Sequence, residues 1–214
     1  MNKNVYSIVL TDNVIRAVDA EAYRRGTNRS NLINQILAEQ LSCVTPEMRM
    51  REIFDSAETL LHRELLLMQQ NSPSVLMLRT ALQYKYRPTI NYRVELEREP
   101  DTYLGRLKVQ IRTQNMLLTE CFNLFFREVA LAEEAAFLKK GIRGYNAALS
   151  TDCFTRKLLN DPRLNDEEKG GIIGEYLNML NDAVRKYFSA PDELQYVISR
   201  YNAEFSAFIK ENVI

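Results

Sequence analysis

Histidine and cysteine are scarce in this chain. Its 214 residues hold one histidine, His62, and three cysteines, Cys43, Cys121 and Cys153, scattered far apart. A transition-metal site needs several such side chains close together, and His62 has no cysteine three or four positions away. No metal and no other cofactor is therefore expected. An odd, dispersed set of cysteines suits reduced thiols rather than a disulfide framework. No apolar run approaches the length of a membrane span, and the first residues, MNKNVYSIVL, lack the apolar stretch of a signal peptide. A cytoplasmic protein with no membrane partner is expected. The charges balance, 28 against 28, which argues against strong non-specific attraction to a polyanion. Catalytic signatures are missing too. There is no G-x-S-x-G elbow and no phosphate loop, because Gly170 and Gly171 lie inside a helical pattern with no strand before it. Carboxylate pairs such as Glu133–Glu134 and Glu167–Glu168 are neighbours on helices, where they diverge and read as solvated faces. Enzymatic activity is not expected.

What is present begins at residue 4. In the run NVYSIVL, Tyr6, Ile8 and Leu10 alternate with Val5, Ser7 and Val9, the pattern of a strand with one face buried. Thr11 can cap a first helix, with Asp12 near its positive end. Val14, Ile15, Val18, Ala22 and Tyr23 recur at helical spacing. Gly26, after Arg24 and Arg25, fits a left-handed helix stop. Asn28 can cap a second helix carrying Leu32, Ile33, Ile36, Leu37 and Leu41. A lone strand leaves its backbone unpaired and two short helices bury little surface, so this segment reads as half of a fold completed by a second copy.

The order VYSIVL, LTDNV, RRGTNRSNLI, LAEQL resembles the ribbon-helix-helix family of DNA-binding domains, the Arc, MetJ and CopG type, over about forty residues. The resemblance implies a homodimer whose paired strands enter the major groove of double-stranded DNA. Outward strand positions would meet base edges, here Val5, Ser7 and Val9 with Lys3 upstream. The start of the second helix would hold a phosphate, here at Asn28, Arg29 and Ser30, where free N–H groups and the helix dipole favour an anion. Two features depart from that pattern. Family readers place a long polar side chain on the outward strand face, and this chain offers a serine between two valines. Residues 1–43 also carry only five cations against four anions, little for a phosphate-binding surface.

The remaining chain is expected to be mainly helical with a small antiparallel sheet, an α+β arrangement divided as 1–44 (ribbon-helix-helix), 45–72 (a connecting helix) and 73–214 (an α+β domain of unassigned role). Thr45 and Pro46 start a helix whose apolar stripe, Met50, Phe54, Ala57, Leu61, Leu65 and Met68, fits the first core helix of the second domain better than a coiled seam. INYRVELE and GRLKVQIR alternate around the turn residues Pro100, Asp101 and Gly105, the marks of a hairpin, and an earlier strand is expected near 75–86. Helices are expected near 114–140, 152–160, 166–188 and 192–211, with Asn165 and Glu168 as a capping box for the third. Gly170, Gly171 and Gly174 suggest close helix packing or a kink.

On the sheet, Arg93, Arg106, Lys108 and Arg112 share the polar face, with Lys85 and Arg87 near. Tyr84, Tyr86, Tyr92 and Tyr103 interleave with them, although the alternation turns Tyr92 toward the core. Glu95, Glu97, Glu99 and Asp101 offset half of the eight cations between Arg79 and Arg112. That face reads first as a salt-bridged surface and second as a site for an anionic effector or a partner protein. The expectation for the whole chain is a dimeric, sequence-specific transcriptional regulator acting as a repressor, with a second domain for sensing or oligomerisation. The alternative is a protein-interaction role, as an antitoxin-like molecule neutralising a partner or as a dimeric accessory or scaffold protein.

Overall fold

The computed structural model describes residues 7–41, 43–69, 72–84 and 87–214. Within them the chain is a mixed α+β fold, as the sequence predicts. Two helices come first, α1 (Asp12–Arg24) and α2 (Arg29–Gln40), joined through Gly26 in the left-handed region at φ 62°. Then follow α3 (Pro46–Leu60), strands β1 (Leu66–Leu67), β2 (Val75–Ala81), β3 (Thr89–Leu96) and β4 (Tyr103–Arg112), and α4 (Met116–Lys139). Strands β5 (Ala147–Ser150) and β6 (Cys153–Leu159) and helices α5 (Asp166–Ser189) and α6 (Leu194–Glu211) complete the chain.

The six strands form one antiparallel sheet in the order β1-β2-β3-β4-β6-β5. Its register follows the alternation. Ile90 faces Ile111, Tyr92 faces Val109 and Val94 faces Leu107, all of them buried, and a one-residue slip would turn every one of these to water. Helices α3 to α6 cover this apolar side and share a single core with it, from Met50 to Ile214. Phe126 of α4 stacks on Phe154 of β6 at 4.8 Å, and Phe125 stacks on Tyr187 of α5 at 5.2 Å. Tyr92 lies inside, as the alternation requires, and its hydroxyl donates to Asn181 at 3.2 Å. Helices α3 and α5 touch backbone to backbone. A methyl group at Gly170 would stand 2.2 Å from the Ile53 carbonyl oxygen, and one at Gly174 would stand 2.8 Å from that of Ala57.

The sheet is twice the size of the expected one, and two expectations need correction. Residues 152–160 are not a helix; most of them form β6, with Phe154, Arg156 and Leu158 turned inward. An arginine among the inward residues disguised the alternation. The helix from Thr45 stops at Leu60, so Leu61, Leu65 and Met68 lie beyond it. Asn178 of α5 ends it from outside, accepting from the His62 N–H at 2.9 Å and donating to the Leu60 carbonyl at 2.7 Å. Helix α3 is a core helix of the second domain, as its stripe suggests: Met50, Ile53, Phe54 and Ala57 enter that core. The local caps behave as read: Thr45 Oγ1 accepts from the Met48 N–H at 3.2 Å, and Asn165 and Glu168 close both arms of a capping box at 2.8 Å. No helix of the described residues is long and apolar enough to cross a membrane.

Candidate functional site

Of the expected base-reading residues, Lys3 and Val5, together with Tyr6 of the opposite face, lie outside the described residues. Ser7 and Val9 are described and exposed, Val9 completely so at 100%. Ser7 to Leu10 pair with no strand among the described residues. Thr11 occupies the cap position of α1 without a side-chain hydrogen bond. Much of the apolar stripe of both helices faces water: Ile8, Val14, Tyr23, Ile36, Leu37 and Leu41 are all exposed. Only Ala22, Leu32 and Ala38 are buried among the described residues of this segment.

At the start of α2, the Asn28 side chain accepts from the Asn31 N–H at 2.9 Å, the expected cap. Ser30 is exposed. Arg29 is engaged: its Nε donates to Asp19 Oδ1 at 2.7 Å and its Nη2 to Oδ2 at 2.5 Å. That bond holds the Asp19 carboxyl below its ordinary range. Arg24 and Arg25 both bind Glu21, and their hydrogen bonds bring its carboxyl down to about 2. Three of the cations facing a would-be phosphate backbone are thus already matched within the chain.

The second candidate is the uncovered side of the sheet. Arg93, Arg106, Lys108 and Arg112 do share it, and the register sets Arg93 beside Lys108 and Arg106 beside Glu95. Glu95 sits between the two arginines, accepting a hydrogen bond from Arg106 and forming an ion pair with Arg93 at 2.5 Å. The structure adds Lys157, directly beside Arg106, and Arg79 on β2. Reading 152–160 as a helix hid Lys157; the Thr155/Lys157 alternation against Phe154 and Leu158 was its available signal. Lys157 lies 4.6 Å from the centre of the Tyr103 ring. Lys108, Arg112 and Arg79 form no ion pair among the described residues, so this face carries a positive surplus that Glu95 only partly offsets. Arg87 is exposed beyond the start of β3, and Lys85 and Tyr86 lie outside the described residues.

A third cluster was misread from sequence. Glu133 is not on a solvated face. Both Glu133 and Arg156 have side chains 0% exposed, with Nε and Oε2 3.1 Å apart. Their contact is a charge pairing off the line of a hydrogen bond. The other carboxylate oxygen accepts from Tyr176 at 2.8 Å and Tyr201 at 2.5 Å. The guanidinium sits among the rings of Phe137, Tyr145, Tyr176 and Phe205, the nearest 4.5 Å away, and donates to the Ile214 carbonyl oxygen at 2.5 Å. Burial and the Glu133 charge both push the Tyr201 hydroxyl well above its usual pKa. The cluster joins α4, β6, α5 and α6. A cleft of about 1020 Å³ opens between the α1–α2 turn and α3, bordered by Arg24, Asn28, Arg51, Asp55 and Arg98. No group of three or more histidine, cysteine or acidic side chains is placed to hold a metal ion among the described residues.

Comparison with protein-family models, with curated proteins and with solved structures finds no match to this chain.

Proposed function

We propose that the chain is a dimeric DNA-binding regulator, a repressor, that reads its operator through an amino-terminal ribbon-helix-helix segment and uses its α+β domain for sensing or assembly. The observation that carries this reading is the exposed apolar surface of residues 7–41: two helices with a left-handed glycine between them leave Ile8, Val14, Ile36, Leu37 and Leu41 uncovered. A second copy laid against them would bury that surface and supply the missing strand. Double-stranded DNA and the chain itself are the proposed partners, and the basic sheet face is the proposed contact for an anionic effector.

Two observations favour a second reading. Asp19 and Glu21 hold Arg29, Arg24 and Arg25, and Val9 stands outward where a polar base-reader is wanted. A segment that dimerises without reading DNA, in an antitoxin-like or accessory protein, fits these two facts. The test is recovery of genomic DNA by the purified full chain, followed by footprinting. The repressor reading expects one palindromic site protected, and expects Ile8→Asp to abolish both protection and pairing through this segment. That change places an unpaired charge in the shared core. Uniform weak recovery of all sequences, with Ile8→Asp still eliminating dimers, supports the second reading.

A further inference from the structure

Helix α4 carries leucines at 117, 124, 131 and 138, one every seventh residue, and each remains in water, at 67, 42, 55 and 66% exposure. Single exposed apolar side chains are ordinary on a protein surface. Four in one heptad series along a 24-residue helix are a stripe, the unit from which a two-helix seam is made. The opposite side of α4 is already occupied, since Leu118, Phe122, Phe125, Phe126, Val129 and Phe137 belong to the domain core. The helix is therefore apolar on both sides, and a helix of that kind is normally covered on both.

The charges beside the stripe select what covers it. On one side run Glu120, Arg127 and Glu134, and on the other Cys121, Glu128 and Ala135. Arg127 and Glu128 sit at the midpoint of the stripe and form no ion pair among the described residues. If a second α4 lies antiparallel, with the two-fold axis passing between positions 127 and 128, Leu117 meets Leu138 of the other copy and Leu124 meets Leu131. Arg127 then meets Glu128, twice by symmetry, while Glu120 and Glu134 oppose Ala135 and Cys121. A parallel pair would set Glu120, Glu128 and Glu134 each against its own copy, a like-charge arrangement that destabilises. We infer that α4 is a second self-association surface, which pairs two copies of this chain through an antiparallel leucine seam. The inference does not depend on the amino-terminal segment. If both surfaces operate between different pairs of chains, the assembly goes beyond a dimer.

The experiment uses the full chain and measures its mass by sedimentation over a concentration series. Leu124→Glu combined with Leu131→Glu is expected to halve the mass of the assembly while circular dichroism and melting stay unchanged, because both side chains are exposed in the single chain. Arg127→Glu is expected to weaken association by about tenfold, and adding Glu128→Arg to restore it. Orientation is read by oxidation in a chain with Cys43→Ser and Cys121→Ser. Leu124→Cys with Leu131→Cys should give a disulfide between positions 124 and 131 of two chains, whereas Leu124→Cys alone should give none. The cross-link with unchanged mass also supports the seam, as it means that the same two chains share both surfaces. Unchanged mass without the cross-link overturns the inference, as does a wild-type chain that is monomeric at every concentration. Efficient cross-linking by Leu124→Cys alone overturns the antiparallel arrangement.

Discussion

The two helices of residues 12–40 and the domain of residues 46–214 differ in where their polar bonds go. In the first, the bonds are mostly local: Arg24 and Arg25 to Glu21 and Asn28 to Asn31, each within four residues, with Arg29 reaching back only to Asp19. Several apolar side chains there are exposed, Val14, Tyr23, Ile36 and Leu37 among them, and none of the region joins the continuous core. In the second, the decisive bonds cross the chain: Glu133 to Arg156, Tyr92 to Asn181, Asn178 to the end of α3. Local bonds define a helix but not a fold, and among the described residues of the first region only Ala22, Leu32 and Ala38 are buried. Long-range bonds fix one arrangement of elements, and the second region has a continuous core of its own, with the α4 leucine stripe left outside it. Stability should therefore be concentrated in the second region.

The largest expected effect lies in the second region. Glu133→Ala leaves the Arg156 guanidinium buried without its counter-charge and strips two tyrosine hydroxyls of their acceptor, which should cost about 3–5 kcal/mol in chemical denaturation. Glu133→Leu with Arg156→Met removes both charges and should recover most of that loss, since apolar replacements of a buried pair are often neutral or stabilising. The matching change in the first region, Glu21→Ala, breaks an exposed pair and should leave the denaturation midpoint where it was. Equal losses at the two sites would erase the contrast between the regions.

A smaller effect tests the packing of α3 on α5. Gly170→Ala drives a methyl group into the Ile53 carbonyl, where the backbone of both helices must shift, at a cost of about 1–3 kcal/mol. Gly171→Ala, one residue along, meets only the Leu60 side chain at 3.8 Å and should stabilise α5 by about 0.5–1 kcal/mol. Thermal melting of the two variants should move in opposite directions.

The same distinction between local and distant bonds explains what could be read from the chain. The β3–β4 hairpin, the Asn28 cap, the Asn165–Glu168 box and the long helices were legible because period and capping are local. The basic sheet face followed directly from the alternation, for Arg93, Arg106, Lys108 and Arg112. Three features were not legible, each for one reason. Arg156 points inward because Glu133, on another element, neutralises it, so β6 and its Lys157 were missed. Glu133 looked solvated because its partners come from β6, α5 and α6. Helix α3 looked longer because the residue that ends it, Asn178, lies on α5. The candidate reading strand is a different case, because Ser7 to Leu10 pair with no strand among the described residues.

On DNA, the contrast becomes one of charge against shape. Arg29→Ala with Ser30→Ala should weaken binding to all sequences alike and reduce the logarithmic salt slope by about one for the lost cation. Ser7→Ala should leave the slope unchanged and cost roughly 1 kcal/mol at a single base pair. Fluorescence titrations at several salt concentrations separate the two. An unchanged slope in the first variant would mean that Arg29 stays with Asp19 and makes no phosphate contact.

The smallest effect is a titration, and it reports on that same exchange of partners. The folded-state values of Asp19 and Glu21 are depressed, Glu21 to about 2, by hydrogen bonds from Arg29 and from Arg24 with Arg25. Groups depressed in this way lend their stabilisation at pH values above the ordinary carboxylate range, and it is lost as the pH falls through the folded value. The α1–α2 pair should thus loosen between the ordinary carboxylate value near 4 and pH 2, visible as loss of amide-exchange protection in residues 12–40 before the core of residues 46–214 opens. Carboxyl NMR should show Asp19 titrating low in the free chain, and Arg29→Ala should return it to the usual range. Adding operator DNA should do the same to the wild-type chain, because a phosphate that takes Arg29 leaves Asp19 without its donor. An Asp19 midpoint that stays low in the DNA complex would show that the cation never changes partner, and would assign the phosphate grip to the Asn28–Ser30 backbone alone.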